Sequence, residues 1–447
     1  MERKLKRSRR IKGTISVPGD KSIAHRAALL SIISNGLIEA VNYPNGADCQ
    51  TSLKAAETFG VTVASEKNKI ILTPPSDLSG AGGKSIDCGN SGTTARLISG
   101  IIAGSDVEIT LTGDKSLSAR PMKRVVEPLT KMGAEFFSEN GHLPLRIRGK
   151  KLLPFEYKLP VPSAQVKSAL LLAGLSSRCS VTIHEDSFTR DHTERMISEI
   201  GEGIEYRRIN PQPVDDPLDP RKKRMQMPEL FRYEVKLNAQ ARLNGGVIDI
   251  PGDISTASFF MAAAAIGKGS VTIENVGLNP TRTGFIDHLK TIGSEIEISD
   301  KKIVSHEPRG TVTVTGAPLK SRKISGETTV GLIDEIPLVA VMAAFAEGTT
   351  IIRDAAELKV KESNRLEAIH HNLKLMGAKS ALLDDGLAIE GQPELSGADF
   401  KSFGDHRIVM AFSIAALFLA GPSSVDDDSS AAISCPEFYD ILGQITR

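Results

Sequence analysis

Tryptophan is absent from this chain, and phenylalanine and tyrosine bring the aromatic share to only 4%. Stacking platforms for single-stranded nucleic acid are therefore scarce. An excess of one charge is lacking too: 55 Lys and Arg stand against 54 Asp and Glu, a net +1, so no global field draws the protein to a polyanion or a membrane surface. Any anion binding must be local. The four cysteines, Cys49, Cys88, Cys179 and Cys435, lie far apart and form no C-x-x-C pair. That argues against a zinc site or disulfide framework and for a reducing cytoplasm. No apolar run reaches membrane-spanning length without a charge or a glycine, and the amino terminus lacks a signal-peptide core. No G-x-G-x-x-G fingerprint occurs. Gly80-Ala81-Gly82-Gly83-Lys84-Ser85 looks like the end of a phosphate-binding loop, but the first glycine of that pattern would fall at Leu78 and no strand is read before it, so it is read as a plain loop.

What is present is repetition. With 447 residues and 40% hydrophobic content the chain suits two domains. Val17-Pro18-Gly19-Asp20-Lys21-Ser22 and Ile250-Pro251-Gly252-Asp253-Ile254-Ser255 spell nearly the same segment, each a β-branched residue, a Pro-Gly turn and an Asp or Ser able to cap the next helix. Glycines that end helices form two interleaved series. One falls at Gly36, Gly104, Gly174, Gly269, Gly348 and Gly421. The other falls at Gly60, Gly133, Gly201, Gly293, Gly377 and Gly443, at intervals of 73, 68, 92, 84 and 66 residues. The pattern predicts six units of about seventy residues, each strand-helix-strand-helix-strand-strand, three per domain. Residues 207–232, rich in proline and containing Arg221-Lys222-Lys223-Arg224, read as a surface loop insertion in the longest interval. The basic run Arg3–Arg10 reads as a solvated tail before the first strand.

Polar clusters fall at predicted helix starts, where unpaired N–H groups and the helix dipole favour anions. First helices open at Lys21-Ser22-Ile23-Ala24-His25-Arg26, Asn90-Ser91-Gly92-Thr93-Thr94-Ala95-Arg96, Ser163-Ala164-Gln165-Val166-Lys167, Ile254-Ser255-Thr256, Asp334-Glu335 and Asp405-His406-Arg407. Second helices open near Asp48, Arg120-Pro121-Met122-Lys123, Arg190-Asp191-His192-Thr193-Glu194, Pro280-Thr281-Arg282, Lys361-Glu362-Ser363-Asn364-Arg365 and Pro436-Glu437. Helix starts that converge and carry Lys and Arg suit a strongly anionic small ligand. Taken singly, Arg26 and Arg96 could each do no more than pair with a surface carboxylate. Asp191 and Asp405 are expected to cap helices while His192 and His406 pack. Lys361 and Arg365, four apart, are expected on one helix face, with Glu362 turned aside.

In GDKSIAHR, GNSGTTAR, RPMKR, SAQVKS, TRDHTE, NPTRTG, LKVKESNR and DHRIVMAF, in that order from about Gly13 to Gly443, the chain resembles the 5-enolpyruvylshikimate-3-phosphate (EPSP) synthase family. The resemblance implies an α/β (α+β) enolpyruvyl transferase fold of six βαβαββ repeats in two domains that close over their substrates. The first domain is discontinuous, residues 1–20 plus 253–447, and carries the proton-transfer carboxylates. The second, 21–252, binds shikimate 3-phosphate, and the hinge lies near 18–21 and 250–254. The implied reaction moves the enolpyruvyl group of phosphoenolpyruvate to the 5-hydroxyl of shikimate 3-phosphate and releases phosphate, in the pathway to chorismate. By position, Lys21, Asp334 and Glu362 are implied as catalytic. Lys21, Ser22, Arg26, Ser163, Ala164, Gln165, Arg190, Asp334 and Lys361 are implied for shikimate 3-phosphate, and Lys21, Asn90, Gly92, Arg120, Gln165, Arg365 and Arg407 for phosphoenolpyruvate. No metal and no organic cofactor is expected, nor a nucleic-acid or membrane partner; a cytoplasmic monomer is.

Two departures qualify the resemblance. Ile433-Ser434-Cys435-Pro436 stands where several members have a lysine before Thr/Ser-Phe-Pro, so one phosphoenolpyruvate cation is missing or supplied elsewhere. Gly92 occupies the position where some members carry alanine and resist glyphosate, which makes glyphosate sensitivity the expectation. A UDP-N-acetylglucosamine enolpyruvyl transferase is the nearest rival, but that family has a loop cysteine in the stretch matching Asp114–Arg120 and a Lys-Asn pair in place of Lys21-Ser22. A repeat-built RNA-binding protein is the rival of another class.

Overall fold

A computed structural model describes residues 2–8, 10–209, 212–216, 219–226 and 232–446. The chain divides into two compact units: Met1–Ala24, Asn42–Gln50 and Asp249–Arg447 form the first, His25–Val41 and Thr51–Ile248 the second. This division differs from the expected boundaries at three short segments, residues 249–252 among them, which also go with the first unit. Lys21–Ala24 and Asn42–Gln50 go with the first unit, where the Lys21 N–H donates to Asp253 Oδ2 at 3.2 Å and the Asn42 amide to the Ile250 carbonyl at 3.0 Å.

Each unit is built from small sheets of one pattern. In the second unit Gly246–Asp249, Ile38–Val41, Lys69–Thr73 and Thr62–Glu66 lie side by side in that order. Ser85–Asp87, Glu108–Thr112, Leu145–Arg148 and Glu135–Ser138 form the next sheet, and Phe155–Lys158, Val181–Glu185, Tyr233–Leu243 and Gly201–Arg208 the third. In these last two sheets the first pair is parallel and the others antiparallel, as a crossover helix followed by a hairpin requires. The first unit repeats the pattern with Lys12–Ser16, Ser270–Gly277, Glu307–Thr315 and Glu295–Val304, and with Lys323–Ile324, Thr349–Ile352, Gly386–Glu390 and Lys379–Leu383.

The two helices of a repeat have different jobs. The first is apolar on every side and buried, as in Gly92–Ala103, Ala164–Ser177, Ile254–Ile266, Ile336–Ala344 and His406–Ala416. The second buries one stripe, as Lys123–Met132 does through Val125, Pro128, Leu129 and Met132. Inner helices pack closely enough to demand glycine: a Cβ on Gly100 would stand 2.0 Å from the Ala169 carbonyl oxygen.

Strand exchange links the two PGD turns. Lys12–Ser16, before the first turn, pairs parallel with Ser270–Gly277, after the second; Gly246–Asp249, before the second, lies beside Ile38–Val41, after the first. The turns themselves meet within the first unit. Gly19 and Gly252 form an antiparallel bridge, the Asp20 N–H donates to the Pro251 carbonyl and the Asp253 N–H to the Pro18 carbonyl, both at 2.8 Å.

Three expectations need correction. The basic amino terminus is not a solvated tail: Arg3–Leu5 is a strand, antiparallel to Ser423–Val425, which in turn is parallel to Asp399–Phe400. It completes the sixth sheet, whose own repeat ends on a helix, Phe438–Ile445, without a closing hairpin. Arg3 is fixed by Asp428 at 2.7 Å and by the Tyr439 ring at 3.9 Å. The 207–232 insertion is more than a loop, since Gln212–Asp216 pairs antiparallel with Asp219–Gln226. In a two-stranded ribbon every strand is an edge, so Pro213 and Pro220 are tolerated. Its side chains lie outside the described residues. A strand, Lys69–Thr73, does precede Gly80, but Lys84 leads into another strand, Ser85–Asp87, and not into the helix a phosphate-binding loop needs.

Candidate active site

In the first unit the PGD turns cap two helices at once. Asp20 Oδ1 accepts from the Ile23 N–H at 3.0 Å and Asp253 Oδ1 from the Ser255 N–H at 2.7 Å. Asp253 Oδ2 takes the Lys21 N–H as well, which fixes Lys21 at the start of the helix Lys21–Leu30. The Lys21 ammonium donates to Asp48, a residue that the sequence shows only as a helix opener. Burial works to strip Lys21 of its proton, but the Asp48 charge and hydrogen bond, with help from Glu362, outweigh it and raise the lysine's pKa. Burial, with Asp20 nearby, raises that of Asp253. Ser22 lies within reach of Arg282 Nη1 at 3.4 Å, and Arg282 Nη2 donates to Ser255 Oγ at 2.6 Å.

Asp334 is the meeting point of the same unit. It stands in the tight turn between Glu327–Leu332 and Ile336–Ala344. Lys361 Nζ and Arg365 Nη1 approach its Oδ1 at 3.8 and 3.7 Å, and Arg407 Nη2 its Oδ2 at 3.9 Å. These come from three segments, the outermost 73 residues apart in sequence, so no local pattern announces them. Arg407 also donates to the Asp334 carbonyl at 2.8 Å and to Glu335 Oε1 at 3.4 Å. Arg365 is 1% exposed and gripped by Asp405 through Nε at 2.8 Å and by Glu362 through Nη2 at 2.5 Å. Burial disfavours its charge, yet Asp405, Glu362 and Asp334 together hold the guanidinium firmly protonated. Asp405 shows the mirror image: burial would raise its pKa, and Arg365 brings it below the usual carboxylate range. His406 is packed, and burial with Lys21 nearby lowers its pKa to about 3, so it is neutral at working pH. The helix-face expectation for this segment fails. Lys361 is extended, ahead of a helix that begins at Arg365, and Glu362 turns toward Arg365 because the chain between them has not yet coiled.

In the second unit several arginines of the candidate site donate to hydroxyl and amide oxygens. Arg26, 3% exposed, donates to Thr193 Oγ1 at 2.7 Å and Ser168 Oγ at 2.8 Å. Arg120 donates to Asn90 Oδ1 at 2.6 Å and Ser116 Oγ at 3.1 Å. Gln165 Oε1 receives Arg96 at 2.9 Å and Arg124 at 3.2 Å, while its amide donates to Thr93 Oγ1 at 3.1 Å. Ser163 caps the helix Ala164–Ser177, and Arg190 lies half-buried one residue before the Asp191 cap position. Asp191 makes no capping bond with its side chain; it takes Arg195 Nε at 2.9 Å instead. Gly92 opens its helix beside this cluster: a Cβ there would be 2.8 Å from Arg96 Nη1 and 3.4 Å from Arg120 Nη1. Deeper in, Lys167 is fully buried between Glu185 at 2.7 Å and Glu194 at 2.9 Å. Burial outweighs Lys167 at Glu194 and raises its carboxyl. Sequence reasoning gave no role to Glu185, Arg124 or Ser168, and placed Lys167, Glu194, Arg96, Thr193, Glu335 and Asp405 only in helix-opening polar clusters, without these pairings.

The sequence pattern of EPSP synthase (3-phosphoshikimate 1-carboxyvinyltransferase) matches residues 5–221 and 231–442. The chain belongs to the EPSP synthase family. It is 40% identical over 457 residues to the 3-phosphoshikimate 1-carboxyvinyltransferase of Desulforamulus reducens, with 100% of this chain and 99% of the relative covered. Identity to that of an Anaeromyxobacter species is 42% over 440 residues, 98% of this chain and 94% of the relative. A solved EPSP synthase structure from Acinetobacter baumannii superimposes with a TM-score of 0.80 at 34% identity, covering 100% of this chain and 98% of that one. The chain is thus an enzyme of the carboxyvinyltransferase class with the fold of its solved relatives. Neither rival reading is favoured by these matches. Among the described residues no helix is long and apolar enough to cross a membrane.

Proposed function

We propose that this EPSP synthase family member transfers the carboxyvinyl group of phosphoenolpyruvate to the 5-hydroxyl of shikimate 3-phosphate, with Asp334 as proton acceptor, Glu362 as proton donor and Lys21 touching both substrates. The observation that carries this is the assembly at Asp334, where Lys361, Arg365 and Arg407 converge within 3.7–3.9 Å of one carboxylate. Each substrate brings a carboxylate and a phosphate of about −1.5 to −2 charges. Ser22, Arg26, Ser163, Ala164, Gln165, Arg190 and Lys361 take shikimate 3-phosphate. Asn90, Gly92, Arg120, Gln165, Arg365 and Arg407 take phosphoenolpyruvate.

Glu362 donates a proton to the methylene carbon of phosphoenolpyruvate, which makes C2 electrophilic. The 5-hydroxyl oxygen bonds to C2 while Asp334 accepts its proton. The tetrahedral adduct then loses a proton from the new methyl group, with Glu362 now the base, and the C–O bond to phosphate breaks. Arg365 Nη2 donates to Glu362, which supports a step in which an anion that draws Arg365 away loosens one hold on the proton-carrying carboxyl. Asp48 is a positioning residue for Lys21. The reaction calls for no metal or organic cofactor. Four buried free thiols support a reducing, cytoplasmic setting, and the proposed working form is a monomer.

Phosphate release that requires both substrates tests the reading. Glu362→Gln should lower kcat by about 10²–10⁴, and Lys21→Met should raise KM for both substrates. Wild type that releases no phosphate, or variants equal to wild type, would overturn it. Sedimentation equilibrium showing a dimer at assay concentration would remove the monomer.

A further inference from the structure

The first unit holds a cavity of about 390 Å³ that the reaction above does not use. It opens between the helix Gly284–Thr291 and the hairpin Glu295–Val304/Glu307–Thr315. Its wall is apolar, formed by Leu278, Ile286, Ile298 and Pro308, and Ile303 stands on the rim 74% exposed. Lys301 and Lys302 also line it. Among the described residues neither lysine has a carboxylate within ion-pair distance, whereas the acidic lining residue Asp287 stands 3.9 Å from Lys290. At the inner end is Arg309, 2% exposed, which lines this cavity and a second of about 330 Å³ next to it. Arg309 donates through Nη1 to Asp249 Oδ1 at 2.7 Å and through Nη2 to the Asp249 carbonyl, yet its Nε is buried with no hydrogen-bond partner. A buried N–H left unpaired costs free energy.

Volume, wall and charge agree on one kind of occupant. Pockets of about 300–1,000 Å³ suit small organic ligands, with apolar walls for the body and a few polar groups for orientation. We propose that this cavity binds a small organic anion with an apolar ring, such as an aryl carboxylate or aryl phosphonate. Its ring lies against Leu278, Ile286 and Ile298, and its anionic group meets Lys301, Lys302 and the inner Arg309. The proposal is independent of the reaction assigned above.

Because the chain has no tryptophan, Ile303→Trp places a single emitter on the rim. Titration of that variant with 3-phenylpropionate and with phenylphosphonate should give saturable emission shifts, and calorimetry on the wild type should give matching affinities. The neutral 3-phenylpropanol and inorganic phosphate should bind at least about tenfold more weakly. Lys301→Glu with Lys302→Glu should lower affinity by about tenfold or more and leave kcat without ligand unchanged, since neither lysine touches substrate. No saturable binding up to about 10 mM, equal binding of the neutral analogue, or wild-type affinity in the double variant would each overturn the site.

Discussion

The candidate-site arginines of the two units donate to different kinds of acceptor. In the first, Arg365 and Arg407 are held by carboxylates: Asp405, Glu362 and Glu335, with Asp334 alongside. In the second, Arg26, Arg96 and Arg120 are held by hydroxyl and amide oxygens of Thr193, Ser168, Gln165, Asn90 and Ser116. A neutral acceptor orients a cation while leaving its charge to attract an anion. A carboxylate both orients it and competes with that anion. An anion arriving at Arg365 therefore competes with the carboxylates that hold it, and under the proposed roles that competition reaches Glu362.

The sharpest break of this comparison is to delete one holder from each side. Asp405→Asn leaves Arg365 buried beside a lost charge and should cost about 3–5 kcal/mol of the first unit's stability, whereas Ser168→Ala should cost about 1 kcal/mol. Urea unfolding of both variants measures the difference, and equal costs would erase the distinction.

Acid stability should separate the units next. Burial, with Arg322 nearby, lowers His288 to about 4, well under its unfolded value near 6.5. A depressed histidine makes the unfolded chain bind more protons, so this stability is full above pH 6.5 and falls as the pH drops toward 4. Glu194 in the second unit has its pKa raised, which reverses the sign: acidification relieves a cost that is present at neutral pH. Between pH 6.5 and 5, His288→Asn should remove about 2 kcal/mol of pH dependence from the wild type's unfolding free energy. An unchanged slope would show that His288 titrates normally.

Gly92→Ala probes the neutral side without touching stability much. The added methyl must push Arg96 from 2.8 Å, so KM for phosphoenolpyruvate should rise by about tenfold (about 1.4 kcal/mol) and glyphosate inhibition should weaken in parallel. Unchanged KM would mean that Arg96 and Arg120 play no part in binding that substrate. Wild-type activity that survives millimolar glyphosate at low phosphoenolpyruvate would refute the expected sensitivity.

The smallest effect is expected at Asp48→Asn. Burial lowers the Lys21 pKa and Asp48 raises it, so the variant should move the alkaline limb of kcat/KM to lower pH, with a modest loss at pH 7. A limb that stays in place would assign it to another group.

How much of this was legible follows from distance along the chain. Helix openings at Ser91, Ser163, Asp253 and Asp405 were readable because a cap bonds within three residues of itself. The repeat was readable because most helix stops have a glycine close by; Gly174 and Gly443 are corrections, since they lie inside Ala164–Ser177, which ends on left-handed Arg178, and inside Phe438–Ile445. Lys167 with Glu185 and Glu194 was not, since its partners arrive from a neighbouring strand and helix and each residue alone resembles surface charge. The geometry of Lys361, Glu362 and Arg365 was misread because i,i+4 spacing says nothing until the helix start is known, and here the helix begins at the last of the three. Arg3–Leu5 gave no sign of its strand, because its partner Ser423–Val425 lies at the other end of the sequence.

That amino-terminal strand sets a schedule for synthesis. Residues Arg3–Leu5 and Lys12–Ser16 leave the ribosome well ahead of their partners, Ser423–Val425 and Ser270–Gly277. The second unit closes with Gly246–Asp249, so it can fold while the first still lacks most of its chain. At roughly 5–20 residues per second the opening strand waits on the order of 20–80 s for its mate. Arg3–Leu5 must stay unpaired for that time, whereas the partner of Lys12–Ser16 arrives sooner. Arg3, Lys4, Lys6, Arg7 and Arg10 are well chosen for it, because like charges keep a nascent edge from pairing with the wrong strand.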